Sequence, residues 1–179
     1  FGREDADYEL ISLQLRKILE LIAFSSLIAN KKKYAKAYKN FHTHKSARLI
    51  LRDIKKIHPD FYPKPMQYQQ VSEGFHHGET LNDNGALTED EFEELFDKCC
   101  KIVHVWNPFD PNTRSVDFKL PISEWLQKIT NLLKQHQMRL VDTDKWWLIV
   151  MSSAEDGKPH AYTLEPVAFG KEVPTPKTK

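Results

Sequence analysis

Arg52, Asp53 and His58, in the run RDIKKIH, are the residues whose types best suit acid–base chemistry on a phosphate. An arginine stabilises charge developing on a phosphoryl oxygen. A histidine titrates near neutrality and can therefore move a proton there. On an ideal helix the six steps between them leave Arg52 and His58 about 120° apart. His58 also follows the apolar stripe of Ala47, Ile50, Leu51, Ile54 and Ile57, where a histidine commonly serves as a core residue with one hydrogen bond.

The pair Arg52-Asp53 followed by His58 resembles the signature of the HEPN superfamily, all-helical domains many of whose members are metal-independent ribonucleases. The resemblance implies a dimer in which two motifs meet at the scissile phosphate. Carried over, Arg52 would stabilise the phosphorane-like charge and His58 would be the acid/base. It covers this motif and the general helicity, and the C-terminal strands are no part of it. A second resemblance, carried by Arg52–Pro63 (RDIKKIHPDFYP) and Lys98–Phe109 (KCCKIVHVWNPF), is to segments of functionally unassigned bacterial helical proteins, and implies a bacterial cytosolic origin.

Charge offers another route to function. The span 31–56 holds ten basic residues, Lys31, Lys32, Lys33, Lys36, Lys39, Lys45, Arg48, Arg52, Lys55 and Lys56, against the single acid Asp53. The span 79–97 carries Glu79, Asp83, Glu89, Asp90, Glu91, Glu93, Glu94 and Asp97 and no base. A chain of net charge +1 is thus sorted into a positive and a negative lobe. Such a positive lobe can meet phosphates and release their counterions. Alternatively the lobes neutralise one another, within the fold or across an interface between copies. Tyr34, Tyr38 and Phe41 are of a type that stacks on bases, but their spacing puts them on the core face.

A third constellation is Glu93, Asp97, Cys100 and His104, which share one flank of a helix. A cysteine and a histidine one turn apart can ligate zinc, yet a structural zinc needs a second pair of ligands, and no further cysteine beyond the adjacent Cys99 exists. No metal and no cofactor is expected. The sequence has no Gly-rich phosphate loop, G-x-S-x-G elbow, H-E-x-x-H or C-x-x-C, which disfavours P-loop and zincin chemistry. Cys99 and Cys100 fall together within the helix and seldom pair, which points to a reducing cytoplasm. No secretory signal pattern is visible, and charges interrupt the longest apolar run, so no membrane partner is expected.

The elements that must position these residues follow from periodicity. Asp7–Asn30 is apolar around most of its circumference and reads as the central helix of a bundle, with Asp7 as N-cap. Tyr34, Ala37, Tyr38 and Phe41 continue a helical face. After a break at 42–44, Lys45–Ile57 is an amphipathic helix that Pro59 ends. The polar, glycine-bearing stretch 66–86 reads as an irregular excursion. Thr88 and Glu91 form a capping box, with Leu87 and Phe92 as its hydrophobic staple, opening a helix that Asn107-Pro108 closes. Pro121–His136 is a further amphipathic helix. Met138–Val141, Trp146–Met151 and His160–Leu164 read as strands, with Thr143-Asp144 and Asp156-Gly157 as turns.

The expected class is therefore α+β, mostly helical: a helical bundle around a central N-terminal helix (1–137) with a small three-stranded antiparallel meander (138–169) packed on it and a solvated tail (170–179). The leading functional expectation is a non-catalytic interaction module whose basic face binds an anionic partner, RNA more than DNA, or an acidic protein surface. The alternatives are a dimeric HEPN-like ribonuclease and a self-associating structural subunit.

Overall fold

A run of side chains at i, i+3 and i+4 spacing, Ser12, Leu15, Leu19, Ile22, Ala23 and Ser26, is the buried side of the long first helix. The computed structural model describes residues 3–38, 47–72, 75–81, 85–104, 116–139 and 146–164. Among them are five helices and five strands, in an α+β fold in which helix predominates. The chain divides into two compact units, 1–59 with 87–126 and 60–86 with 127–179, each built from two separate stretches of sequence. Among the described residues no helix is long and apolar enough to cross a membrane.

The first unit is helical. Helix α1 (Arg3–Ala29) runs into α2 (Lys31–Ala37) through Asn30, which is buried and donates from Nδ2 to the Ser26 carbonyl at 2.8 Å. Helix α3 (Ala47–Ile57) and helix α4 (Glu89–Val103) both pack against α1. The side chains meeting there are those of hydrophobic cores: Leu15, Leu19 and Ile22 from α1, Ile50, Leu51 and Ile54 from α3, and Phe92, Leu95, Phe96 and Cys99 from α4. The capping box is present as expected. Thr88 accepts from the Glu91 backbone at 3.2 Å, Glu91 accepts from the Thr88 backbone at 3.0 Å, and Leu87 and Phe92 are both buried. Arg16 ties the α1–α4 seam at its edge, bonded to Glu20 at 2.9 Å and standing over the Phe96 ring at 5.9 Å.

Two expectations about α1 are corrected. Asp7 lies inside the helix and is not its cap, because helical geometry already holds at Arg3. Nor is α1 wrapped on all sides: Leu10, Leu21 and Ile28 stand in solvent. Its apolar arc is wide, but only one side of it meets α3 and α4.

The second unit is a sheet. Strands β1 (Lys64–Ser72), β2 (Phe75–Thr80), β3 (Gln135–Arg139), β4 (Trp146–Val150) and β5 (His160–Leu164) form an antiparallel sheet in the order β2-β1-β3-β4-β5. The sheet thus has five strands where a meander of three was expected, and the stretch read as an irregular excursion supplies two of them. Composition concealed them. The backbone pairs regardless of side chain, and Gly78 is there for a steric reason. It lies opposite Tyr68, whose ring crosses it so closely that a Cβ at Gly78 would come within 2.5 Å of the ring. Helix α5 (Ile122–Lys134) passes directly into β3, so His136, expected at the end of a helix, is a strand residue paired with Ile149. The Asp156-Gly157 turn is as expected. Gly157 takes φ +70°, and the Asp156 carboxylate accepts from the Lys158 backbone at 2.9 Å and contacts His160 Nε2 at 3.0 Å.

The break at 42–44, the signals Asn107-Pro108 and Thr143-Asp144, and the tail 170–179 lie outside the described residues.

Two predictions test these contacts. Gly78→Ala should destabilise the chain by about 1 kcal/mol or less in urea unfolding, the cost of turning the Tyr68 ring aside at this exposed position being partly offset by alanine's gain over glycine in a strand. Combining it with Tyr68→Ser should recover most of that increment. His136 is buried, its Nδ1 donating to the Leu133 carbonyl at 3.1 Å, and burial pushes its pKa below the ordinary 6.5. The unfolded chain then binds the extra proton first. This contribution to stability is complete above pH 6.5 and is lost as pH falls toward the folded-state value. His136→Gln should flatten that acid limb in a stability-versus-pH series.

Candidate anion-binding surface

The inner face of α3 is fixed by Ala47, Ile50, Leu51 and Ile54, all fully buried. The remaining positions carry its cations, and they divide sharply. Arg48 Nη1 lies 2.6 Å from Asp97 Oδ2 on α4, and Lys55 Nζ lies 3.0 Å from Glu89 Oε1 on the same helix. Arg48 meets the later carboxylate and Lys55 the earlier, so the two contacts form rungs between antiparallel helices. Lys56 Nζ turns back one turn to Asp53 Oδ1 at 2.9 Å. The Glu89 carboxylate holds the Lys55 ammonium above the usual lysine range, first by its hydrogen bond and then by its charge.

Asp53, the lone acid of the basic span, is an inward-facing residue of α3. Its carboxylate charge adds to the burial that pushes the Tyr34 phenol up to about 12. Tyr34 is itself fully buried and stacks obliquely on Tyr38 with ring centroids 4.8 Å apart. Tyr34 is thus a core residue as expected, Tyr38 is half-buried, and Phe41 lies outside the described residues.

Four described cations of the span differ from these. Lys31, Lys32 and Lys36 on α2 and Arg52 on α3 are exposed, and among the described residues no carboxylate lies at ion-pair distance from them. The side chain of Lys33 and the whole of Lys39 and Lys45 lie outside what is described. Lys32 and Lys36 are one turn apart on α2, whose first turn contains no acidic residue. Like charges at that spacing repel, and a bound anion would relieve that repulsion.

Arg52 is on the outer side of α3. His58 follows the last turn, half-buried, its backbone N–H donating to the Ile54 carbonyl at 2.8 Å. No hydrogen bond joins the two side chains among the described contacts. In the third constellation, Asp97 is engaged by Arg48 and His104 is the exposed C-cap residue of α4. Among the described residues no three His, Cys, Asp or Glu side chains converge as a metal site requires. Cys99 and Cys100 are free thiols, and burial pushes Cys99 up to about 12, a range in which it is an inert apolar side chain.

Sequence reasoning did not assign partners to individual cations. The signal was present in the matching acidic run 79–97, two of whose members, Glu89 and Asp97, are the carboxylates engaged here. Another, Glu94, is held down to about 2 by the ammonium groups of Lys119 at 2.7 Å and Lys98 at 2.8 Å. Comparison with protein-family models, with curated proteins and with solved structures finds no match to this chain.

A double-mutant cycle of Arg48→Ala with Asp97→Ala should give a coupling of only about 0.2–1 kcal/mol, because both side chains are nearly half exposed. The coupling should shrink further in high salt.

Proposed function

We propose that this chain is a non-catalytic helical interaction module that binds nucleic acid through the cations its own carboxylates leave open. RNA is the first candidate, because the Arg52–His58 resemblance points to RNA; an acidic protein surface is the other expected partner. The binding set is Lys31, Lys32 and Lys36 with Arg52, and the setting is a reducing cytoplasm. Arg48, Lys55 and Lys56, counted in the same basic face on sequence grounds, are set outside the binding set because each stands at ion-pair distance from a carboxylate: Asp97, Glu89 and Asp53.

One observation carries the reading: Lys32 and Lys36 stand exposed one turn apart on α2, with no described carboxylate near enough to pair. Each ammonium placed on a phosphate releases condensed counterions. On a single strand each such contact contributes about 0.7 to the slope of log affinity against log salt.

The test is anisotropy titration of a labelled single-stranded RNA at rising salt. Binding should be strong only at low salt. Lys32→Glu with Lys36→Glu should weaken it at least tenfold and flatten the salt slope, while Lys55→Ala should leave the slope unchanged. No binding at low salt, or an equal loss on removing Lys55, would overturn the reading. The ribonuclease alternative has Arg52, exposed and without a described carboxylate, in its favour. It requires that the RNA be cut, and that His58→Ala abolish cutting while binding persists.

A further inference from the structure

Leu10, Leu21 and Ile28 are exposed at 56%, 68% and 73%, and all three belong to α1. Separations of eleven and seven residues return a helix to nearly the same direction, so they form one stripe, opposite the buried Leu15, Leu19 and Ile22. With the positions between them the stripe reads Leu10, Gln14, Lys17, Leu21, Phe24 and Ile28. Its steps alternate four and three residues, the spacing of a helix–helix seam. At 1.5 Å per residue it runs about 27 Å.

The ends of the stripe differ in sign. Asp7 and Glu9 are exposed near its start, and Lys31 and Lys32 are exposed just past its end. We infer that the stripe is covered by α1 of a second copy of this chain, laid antiparallel about a two-fold axis level with Leu19. That register sets Leu10 against Ile28, Gln14 against Phe24 and Lys17 against Leu21, each pair occurring twice. It also brings Asp7 to Lys31 at both ends. A parallel arrangement would stack acid on acid at one end, lysine on lysine at the other, and Lys17 on Lys17 between them. In the antiparallel one the Lys17 stem covers Leu21 while its ammonium stays in water. The surface is self-complementary, as a two-fold interface requires. Lys31 is the one cation shared with the RNA-binding set; Lys32, Lys36 and Arg52 stay outside the four pairings. A single helix pair is a small interface, so the dimer is concentration-dependent.

Sedimentation equilibrium of the full chain should show a monomer–dimer equilibrium. Leu21→Asp with Ile28→Asp should weaken it at least tenfold with an unchanged circular dichroism spectrum, both positions being exposed. Register is read separately by cross-linking in a Cys100→Ala background. A mixture of Leu10→Cys chains and Ile28→Cys chains should form a disulfide-linked heterodimer, and Leu10→Cys chains alone should not link. A monomer at every concentration would overturn the inference, as would linking of Leu10→Cys chains to one another.

Discussion

The buried side of α1 is the constraint from which the helical unit follows. Leu15, Leu19, Ile22 and Ala23 present a surface that both α3 and α4 cover. Each large apolar side chain buried there contributes about 1.5–3 kcal/mol, whereas each ion pair at the rim contributes about 1 kcal/mol at most. Packing therefore sets where α3 and α4 lie, and their charges take the partners that placement offers. With α3 and α4 antiparallel across α1, Arg48 reaches Asp97 and Lys55 reaches Glu89. Lys31, Lys32 and Lys36, on a short helix whose first turn is without acids, are left facing water.

The same constraint gives α1 its second character. A helix that needed apolar residues only for its core would carry solvating side chains opposite Leu15, Leu19 and Ile22. This one carries Leu10, Leu21 and Ile28 there. The unit thus carries exposed lysines on α2 and an apolar stripe on α1, two features of different chemistry. The sheet unit has its own determinants: Tyr68 lying over Gly78, His136 buried next to the strand–helix junction, and the Asp156-Gly157 turn.

Helices were legible in the sequence where period and cap coincided. Thr88, Glu91, Leu87 and Phe92 announce α4, and the spacing of Ile50, Leu51 and Ile54 announces α3. The hairpin of β1 and β2 was not legible. Its first strand carries only a short alternation, Met66-Gln67-Tyr68-Gln69, which stops at the bulge between Gln70 and Ser72, and its second, Phe75–Thr80, is polar after Phe75. The exposure of one side of α1 was hidden for the opposite reason. Leucines and isoleucines on both sides of a helix read as burial on both sides, and only the packing distinguishes core from open surface. For the candidate site, the sorting of charge was visible along the chain, but which cations α4 engages is a tertiary fact. No local pattern distinguishes Lys55, which meets Glu89, from Lys36, which meets no described acid.

The division of the basic residues into engaged and open sets can be measured lysine by lysine. Brief acylation of the native chain followed by mass spectrometry reports the reactivity of each ammonium, with and without excess single-stranded RNA. Lys32 and Lys36 should be reactive in the free chain and strongly protected by RNA, while Lys55, already on Glu89, should be slow and unchanged. Protection centred on Lys55 and Lys56, or no protection of Lys32 and Lys36 at low salt, would contradict that division.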